Sequence, residues 1–371
     1  MANTLKFGNG QWATGNGTAL AYNDENANFK PLPFGFTRES SGTTINQSGL
    51  IESVSIGIPR IDFQGNTKGA LLLEPSRTNY WTESQGSSVT LNSPLGEFGF
   101  YTINNTSLSR SITYVGTISF TFIVKKIDGT IPIITNSGGL GDLVIFVSGG
   151  SSAGLAGVLT NIGNGFYKYE LTRTANGGSV ARIANNSGLD TYVSLIQYEE
   201  GSYPTSTIFT SSSAVTRAAD NPFQREDLAS KNLIGNTEFT WFYDCILFIK
   251  EGGTTVAPKL INSSNNQIFV GVNIPQTGSN DLRIRHKDGT SASNTSSIPF
   301  TSGDRYKIAV KISGTTGSAY INGTNLGTFT TAAAVNYDKY SNAANNPNNI
   351  IDMRIYNTAL TDAELVALTT I

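Results

Sequence analysis

Residues 111–126, SITYVGTISFTFIVKK, place Ile118, Phe120, Phe122 and Val124 at every second position. That period lines one face of a β-strand and scatters around a helix. Asp128-Gly129 follows as a hairpin-type turn. The pattern recurs in residues 140–150, 163–178 and 191–206, between Gly-Gly and Asn-Gly pairs. No convincing long helical period interrupts it. The 39 glycines, with abundant Ser, Thr and Asn, suit many short strands joined by tight turns. This stretch reads as an all-β sandwich, most simply a jelly roll.

A second set of strand candidates occupies EFTWFYDCILFI, NQIFVGVNI, DLRIRHKDG, RYKIAVKISG, SAYINGTNLGTF and IIDMRIYN, from residue 238 onward. In the last of these, alternation sets Ile351, Met353 and Ile355 against Asp352, Arg354 and Tyr356. Thr361 and Glu364 then make an S/T-x-x-E capping box, with Leu365 and Leu368 as the apolar side of a short helix. Residues 211–235, around Asp220-Asn221-Pro222, read as the connector between the two sets.

Gly69–Trp81, GALLLEPSRTNYW, holds a short apolar strand stopped by Glu74-Pro75. Thr78 and Asn79 offer side chains that bond nearby backbone. Upstream, Pro59–Phe63 alternates, with Ile61 and Phe63 on one face and Arg60 and Asp62 on the other. Arg38, Arg60 and Arg77 are either buried charges paired with Asp62 or Glu74, or solvent-exposed arginines.

LLLEPSRTN closely resembles the LLxEPxRTN signature of bacteriophage virion proteins, a group of tail-fibre, head-fibre and other surface appendage proteins. KFGNGQWATGNGTALAYN, FTRESS, GLIESV, PRIDF, YEEGSYPTS and AVTRAAD fit the same group. In it Arg38, Arg60, Asp62, Glu74, Arg77 and Arg217 belong to the structural motif. Residues 163–175 and 196–206 look like strands of family members whose fold resembles carbohydrate-binding jelly rolls. KISGTTGSAYINGTNLGTF and IIDMRIYNTALTDAEL resemble strands of laminin-G-like and concanavalin A-like sandwiches. The resemblance implies an all-β chain in three parts. These are an N-terminal extended arm and attachment region (1–78), a jelly-roll β-sandwich (79–220), and a concanavalin A-like, laminin-G-like β-sandwich with one short C-terminal helix (221–371).

The first 35 residues carry aromatics but few aliphatic residues, and so cannot bury a core of their own. They read as an arm docked either on their own body or on a neighbouring virion protein, with Phe7, Trp12 and Tyr22 as anchoring candidates. Both sandwiches read as complete without it.

Net charge is −2 and charged residues are 14%, so there is no broad basic field for nucleic acid and no polybasic membrane patch. No secretory signal opens the sequence, and the most apolar long stretch is too short to span a bilayer. The single cysteine, Cys245, sits in an apolar stretch and reads as a buried inert thiol. His286 is the only histidine, which excludes a multi-histidine metal site within one chain. It lies at a charged strand end and reads as solvated and structural. Glu199 and Glu200 are adjacent and point to opposite faces of a strand, so they make no glycosidase pair. No catalytic residue, metal or cofactor is expected. Tyr337 and Tyr340, in a polar loop-like stretch, either offer a glycan platform or pack on the sandwich.

The expected function is a non-enzymatic structural protein of the virion surface, assembled in the host bacterial cytoplasm. Its expected partners are other virion proteins and further copies of itself, a trimer by analogy with fibres. A glycan-binding adhesin for the host receptor is the alternative, and a polysaccharide depolymerase the third reading.

Overall fold

A computed structural model describes residues 4–25, 28–136, 141–147, 157–235, 237–250, 256–275, 280–331, 336–342 and 348–371. It is nearly all β, with a single short helix among the described residues. The chain forms two compact units. One comprises Met1–Ser41, Val54–Pro75 and Ala218–Ile371, and the other Gly42–Ser53 and Ser76–Arg217. The chain therefore passes from one unit to the other four times, at 41/42, 53/54, 75/76 and 217/218.

The first unit corrects the expected three-part division. No separate arm spans 1–78. The N-terminal strands complete the C-terminal sandwich. Its antiparallel pairing runs from Thr324–Thr330 through Thr316–Ile321, Arg305–Ser313 and Glu238–Leu247 to the closing strand Asn348–Tyr356. That strand then pairs not with a C-terminal neighbour but with Thr4–Gly8, in the register Leu5↔Ile355 and Phe7↔Met353. Thr18–Glu25 and Asn28–Thr37 continue the sheet. Asn221–Arg225, Lys339–Ser341, Val256–Asn262, Asn265–Asn273 and Asp281–Asp288 complete it. Leu71–Leu73 borders the closing strand as well. Leu5, Phe7, Ala19, Ala21, Phe34 and Phe36 share one buried core with Trp241, Val270, Ile308 and Met353. The N-terminal residues need few aliphatic side chains of their own because most of the core they share is supplied from the C-terminal part of the chain.

A register shift between Asp244 and Cys245 opposes Asp352 and Ile350 to them, so the bulge leaves Ile351 out of the alternation. Ile350, Met353 and Ile355 join the main core cluster, while Ile351, also buried, lies outside that cluster. The helix Asp362–Thr369 has the expected capping box, and Leu365 packs on Phe242, Ala309 and Tyr320.

In the second unit the long strands Ser107–Lys126 and Phe166–Asn185 pair along nearly their whole length. Thr191–Glu200 and Gly96–Ile103 extend one side, and Leu143–Val147 extends the other. Ile118, Phe120, Phe122 and Val124 all lie in the core, on the face their alternation predicts. Trp81, Tyr169, Ile183 and Tyr198 fill the rest of that core. A second cluster, Phe98, Phe100, Ile123, Phe166 and Leu195, covers the other sheet face together with Ile51.

Candidate functional site

The signature residues converge on Asp220, which ends the AVTRAAD stretch. Its Oδ1 accepts a hydrogen bond from Arg38 Nη1 at 3.0 Å. Its Oδ2 accepts from Arg60 Nη2 and, at 2.9 Å, from the Glu74 backbone N–H. Arg60 Nη1 reaches Glu74 Oε2 at 2.8 Å. Arg38 also donates to the carbonyls of Ser40 and Ser55, both at 2.8 Å. Arg38, Arg60 and Asp220 side chains are fully buried, and Glu74 nearly so. Burial opposes the Arg60 charge, but the Asp220 and Glu74 carboxylates outweigh it and hold the guanidinium above its ordinary range. Two cations against two anions leave the cluster neutral. Sealed from water, it has no face for a ligand.

Local structure explains the placement. Arg60–Asp62 pairs with Ala70–Leu73 in the register Arg60↔Leu72 and Asp62↔Ala70. Arg60 and Asp62 are the buried pair on this strand and Ile61 is half-buried, so the charged face of the alternation is the inner one. Glu74 is held by Arg60, and Asp62 accepts from the Gln64 backbone N–H at 3.2 Å.

The remainder of the signature works within the second unit. Arg77 lies 5.4 Å over the Tyr203 ring. Arg77–Asn79 pairs with Val215–Arg217, and the hydroxyls of Thr78 and Thr216 meet at 2.7 Å. Arg217 Nη1 donates to Thr205 Oγ1 at 3.2 Å and Ser206 Oγ at 3.0 Å. Asn79 is buried and makes four hydrogen bonds. It donates to the carbonyls of Ile196 and Ile208 and accepts from the N–H groups of Trp81 and Tyr198. That exhausts an amide side chain. Glu199 is buried, accepting from Thr205 N at 2.6 Å, Thr205 Oγ1 at 2.7 Å and Ser119 Oγ at 3.1 Å. Burial raises its pKa, against the pull of the Thr205 hydrogen bonds and the Arg217 and Arg77 charges. Glu200 instead accepts from the Tyr80 hydroxyl, so the two glutamates do face apart.

The other candidates need correction. Phe7 is fully buried, packed edge-on to Trp12 at 5.3 Å and tilted against Phe34 at 5.4 Å. Trp12 is partly buried against the same core, with Nε1 donating to the Lys68 carbonyl at 2.8 Å. Tyr22 is half-buried in the strand Thr18–Glu25. These rings hold the chain to its own sandwich. Tyr337 and Tyr340 are core residues, packed on Phe239 and on Phe34 and Trp241, so neither offers a glycan platform. His286 is buried, not solvated, and stacks on Phe329 at 5.0 Å. Cys245 is buried, and its thiol pKa is raised by that burial.

Asp220, Asn79 and Glu199 went unrecognised as buried hubs. Each stands inside a motif of the resemblance, but nothing local to it names its partners. Among the described residues no group of three or more His, Cys, Asp or Glu is placed to hold a metal ion. Among them also, no helix is long and apolar enough to cross a membrane.

Residues 245–366 match the family described as the concanavalin A-like lectin/glucanases superfamily. No curated protein matches the sequence. Among solved structures, the chain is similar to the Ruminococcus gnavus IT-sialidase CBM40 bound to α2,3-sialyllactose, at 15% identity and a TM-score of 0.31, covering 38% of this chain and 86% of that one. It is similar also to the Trypanosoma rangeli sialidase in complex with the inhibitor DANA, at 16% identity and a TM-score of 0.30, covering 36% and 23%. A third is the binding domain of botulinum neurotoxin DC in complex with rat synaptotagmin II, at 16% and 0.30, covering 41% and 40%. Likeness at this distance transfers neither a ligand nor an activity. The C-terminal part of this chain thus carries a concanavalin A-like domain, completed by strands from the N-terminus.

Proposed function

We propose that this chain is a non-enzymatic structural protein of the bacteriophage virion surface, a head or tail appendage or decoration component that displays two β-sandwich units. The observation that carries the reading is the fate of the signature. Arg38, Arg60 and Glu74 close on Asp220, and Asn79 saturates its amide, each beside a point where the chain leaves one unit for the other. Such residues pin entry and exit points and leave the outer surfaces free to vary. The resemblance that supplies those residues is to virion appendage proteins. Assembly in the host cytoplasm suits a chain with one buried, unpaired cysteine. Self-association as a trimer belongs to the same proposal.

The test is electron microscopy of purified particles with a gold-labelled antibody, together with native mass spectrometry of the isolated protein. Labelled particles and a trimeric mass support the proposal. A chain found only free in the lysate overturns the virion role.

A second reading, attachment to host surface glycan, is favoured by the concanavalin A-like match. A glycan array probed with the full chain tests it, and product analysis on host polysaccharide tests the depolymerase reading.

A further inference from the structure

The two units assemble their cores over very different stretches of chain. The larger core cluster of the second unit draws all its residues from between Trp81 and Tyr198. The core of the first unit runs from Leu5 to Ile355, and its seam pairs Leu5 with Ile355 and Phe7 with Met353. A flexible loop closes less often as it lengthens, about as the 3/2 power of its length. The first unit therefore has much the longer closure to make.

The second unit shortens that closure. Within it Arg77–Asn79 pairs with Val215–Arg217 in the register Arg77↔Arg217. Ser76 Oγ donates to the Arg217 carbonyl at 3.1 Å, and the Thr78 and Thr216 hydroxyls meet at 2.7 Å. Asn79 ties this ribbon to the carbonyls of Ile196 and Ile208. The chain leaves the unit at 75/76 and 217/218, immediately beyond the ribbon on each strand. In the first unit the same two segments are joined again. The Asp220 N–H donates to the Glu74 carbonyl, and the Glu74 N–H donates to Asp220 Oδ2, both at 2.9 Å. Glu74 and Asp220 stand 146 residues apart in sequence, but each is only a few residues from the ribbon. Once the ribbon exists, their meeting becomes roughly 10²-fold more frequent. Arg38 and Arg60 then find their carboxylate in place. The next residue, Asn221, pairs with Thr37, the last residue of the strand Asn28–Thr37.

We propose that the second unit is a folding clamp for the first. It folds first, and its paired ends at Arg77 and Arg217 set Glu74 against Asp220. From that point Asn28–Thr37, Thr18–Glu25 and Thr4–Gly8 close as a strap over the C-terminal strands. The order runs one way. Among the described residues, neither core cluster of the second unit includes a side chain of the strap. The strap, in contrast, buries Leu5, Phe7, Ala19, Ala21, Phe34 and Phe36 against Trp241, Ile308 and Met353. Until the clamp forms, the strap and the edge of Asn348–Tyr356 that receives it both stay open. An intact second unit is thus the condition for a closed first one.

The full chain is refolded from urea with a prolyl isomerase present, so that X-Pro steps do not set the order. Hydrogen-exchange pulses read by mass spectrometry follow residues 107–126 and 166–185 in the second unit, and 4–8 and 348–356 in the first. In the unaltered protein the second unit is expected to gain protection first. Asn79→Ala loosens the ribbon, and Phe120→Ala hollows the second unit's core beside Trp81 and Tyr198. Neither changes a residue of the first unit. In one or both, protection of 4–8 and 348–356 is expected to slow tenfold or more. Phe7→Ala is expected to hinder the seam and to leave the second unit's rate unchanged. Protection of the first unit ahead of the second, or together with it, overturns the clamp. So does protection of the first unit at its unaltered rate in both Asn79→Ala and Phe120→Ala, whether or not the second unit still folds. A second unit that slows in Phe7→Ala overturns the one-way order.

Discussion

In the unit that closes the chain, a buried carboxylate meets charge: Asp220 lies between the guanidinium groups of Arg38 and Arg60. In the other unit a buried carboxylate meets mainly neutral donors. Glu199 is held by Thr205 and Ser119, with Arg217 and Arg77 acting at longer range. The difference follows from what each group must join. Asp220 ties segments near residues 38, 60 and 74, and charge-assisted hydrogen bonds hold such distant pieces more strongly than neutral ones. Glu199 mainly closes the turn six residues after it, for which short hydroxyl and amide contacts suffice. One side-chain class is thus a long-range tie in one unit and a local clasp in the other.

The largest expected effect comes from removing the N-terminus. Deleting residues 4–25 takes away three strands, the two-residue Thr14–Gly15 among them, and leaves the closing strand Asn348–Tyr356 without Thr4–Gly8 along its edge. The first unit is expected not to fold, while the second keeps its protected amides in hydrogen exchange. A fragment 232–371 is expected to be disordered by circular dichroism for the same reason. An unchanged cooperative melt of the deletion would show the strands to be dispensable. Phe7→Ala, a single-residue version, is expected to cost about 3–5 kcal/mol in urea unfolding.

Next is the tie itself. Asp220→Ala leaves Arg38 without its buried carboxylate and Arg60 with Glu74 alone, and is expected to cost about 3–5 kcal/mol, all of it in the first unit. A loss under about 0.5 kcal/mol, the size of a surface change, would break the comparison. Glu199→Gln keeps an acceptor for the Thr205 N–H and is expected to cost about 1 kcal/mol at pH 7. Equal losses at the two sites would mean that Glu199 is as dependent on its arginines as Asp220 is.

How far such features could be read in advance depended on how local they are. The alternation of Ser107–Lys126 names its own inward face, and all four residues assigned to it are in the core. The capping box spans four residues and needed nothing further. The inner face of Arg60–Asp62 was ambiguous, because its neutralising partner stands 160 residues away. Leu5 and Phe7 looked too sparse for a core because each contributes to one assembled from the other end of the chain. Tyr337 and Tyr340 sit among polar neighbours in sequence, yet the pairing of Lys339–Ser341 with Val256–Asn262 turns Tyr340 inward. Long-range pairing is what a local period does not encode.

The smallest effect is the sharpest contrast between the units, since acid should move them in opposite directions. Burial raises the Glu199 pKa above its ordinary value of 4.5. Between that value and its folded value the native state binds more protons than the unfolded chain, so Glu199 favours the fold in acid, and this contribution is lost as pH rises. His286 has the opposite sign. Burial lowers its pKa below 6.5, and the Asp288 charge only partly restores it. Its contribution is present above pH 6.5 and is lost as pH falls through the folded value. As pH falls from 7 to 4.5, then, Glu199 should add stability to its unit while His286 withdraws it from the other. Trp81 is the one tryptophan of the second unit, and Trp12 and Trp241 belong to the first. Urea unfolding followed in a Trp81→Phe background reports the first unit, and in a Trp12→Phe, Trp241→Phe background the second. Each pH slope is then read as the difference from His286→Phe or Glu199→Gln in the same background, which cancels the other carboxylates. Slopes of the same sign would show that the folded pKa of at least one of these side chains is shifted the other way, and the contrast between tie and clasp would then rest on Asp220 alone.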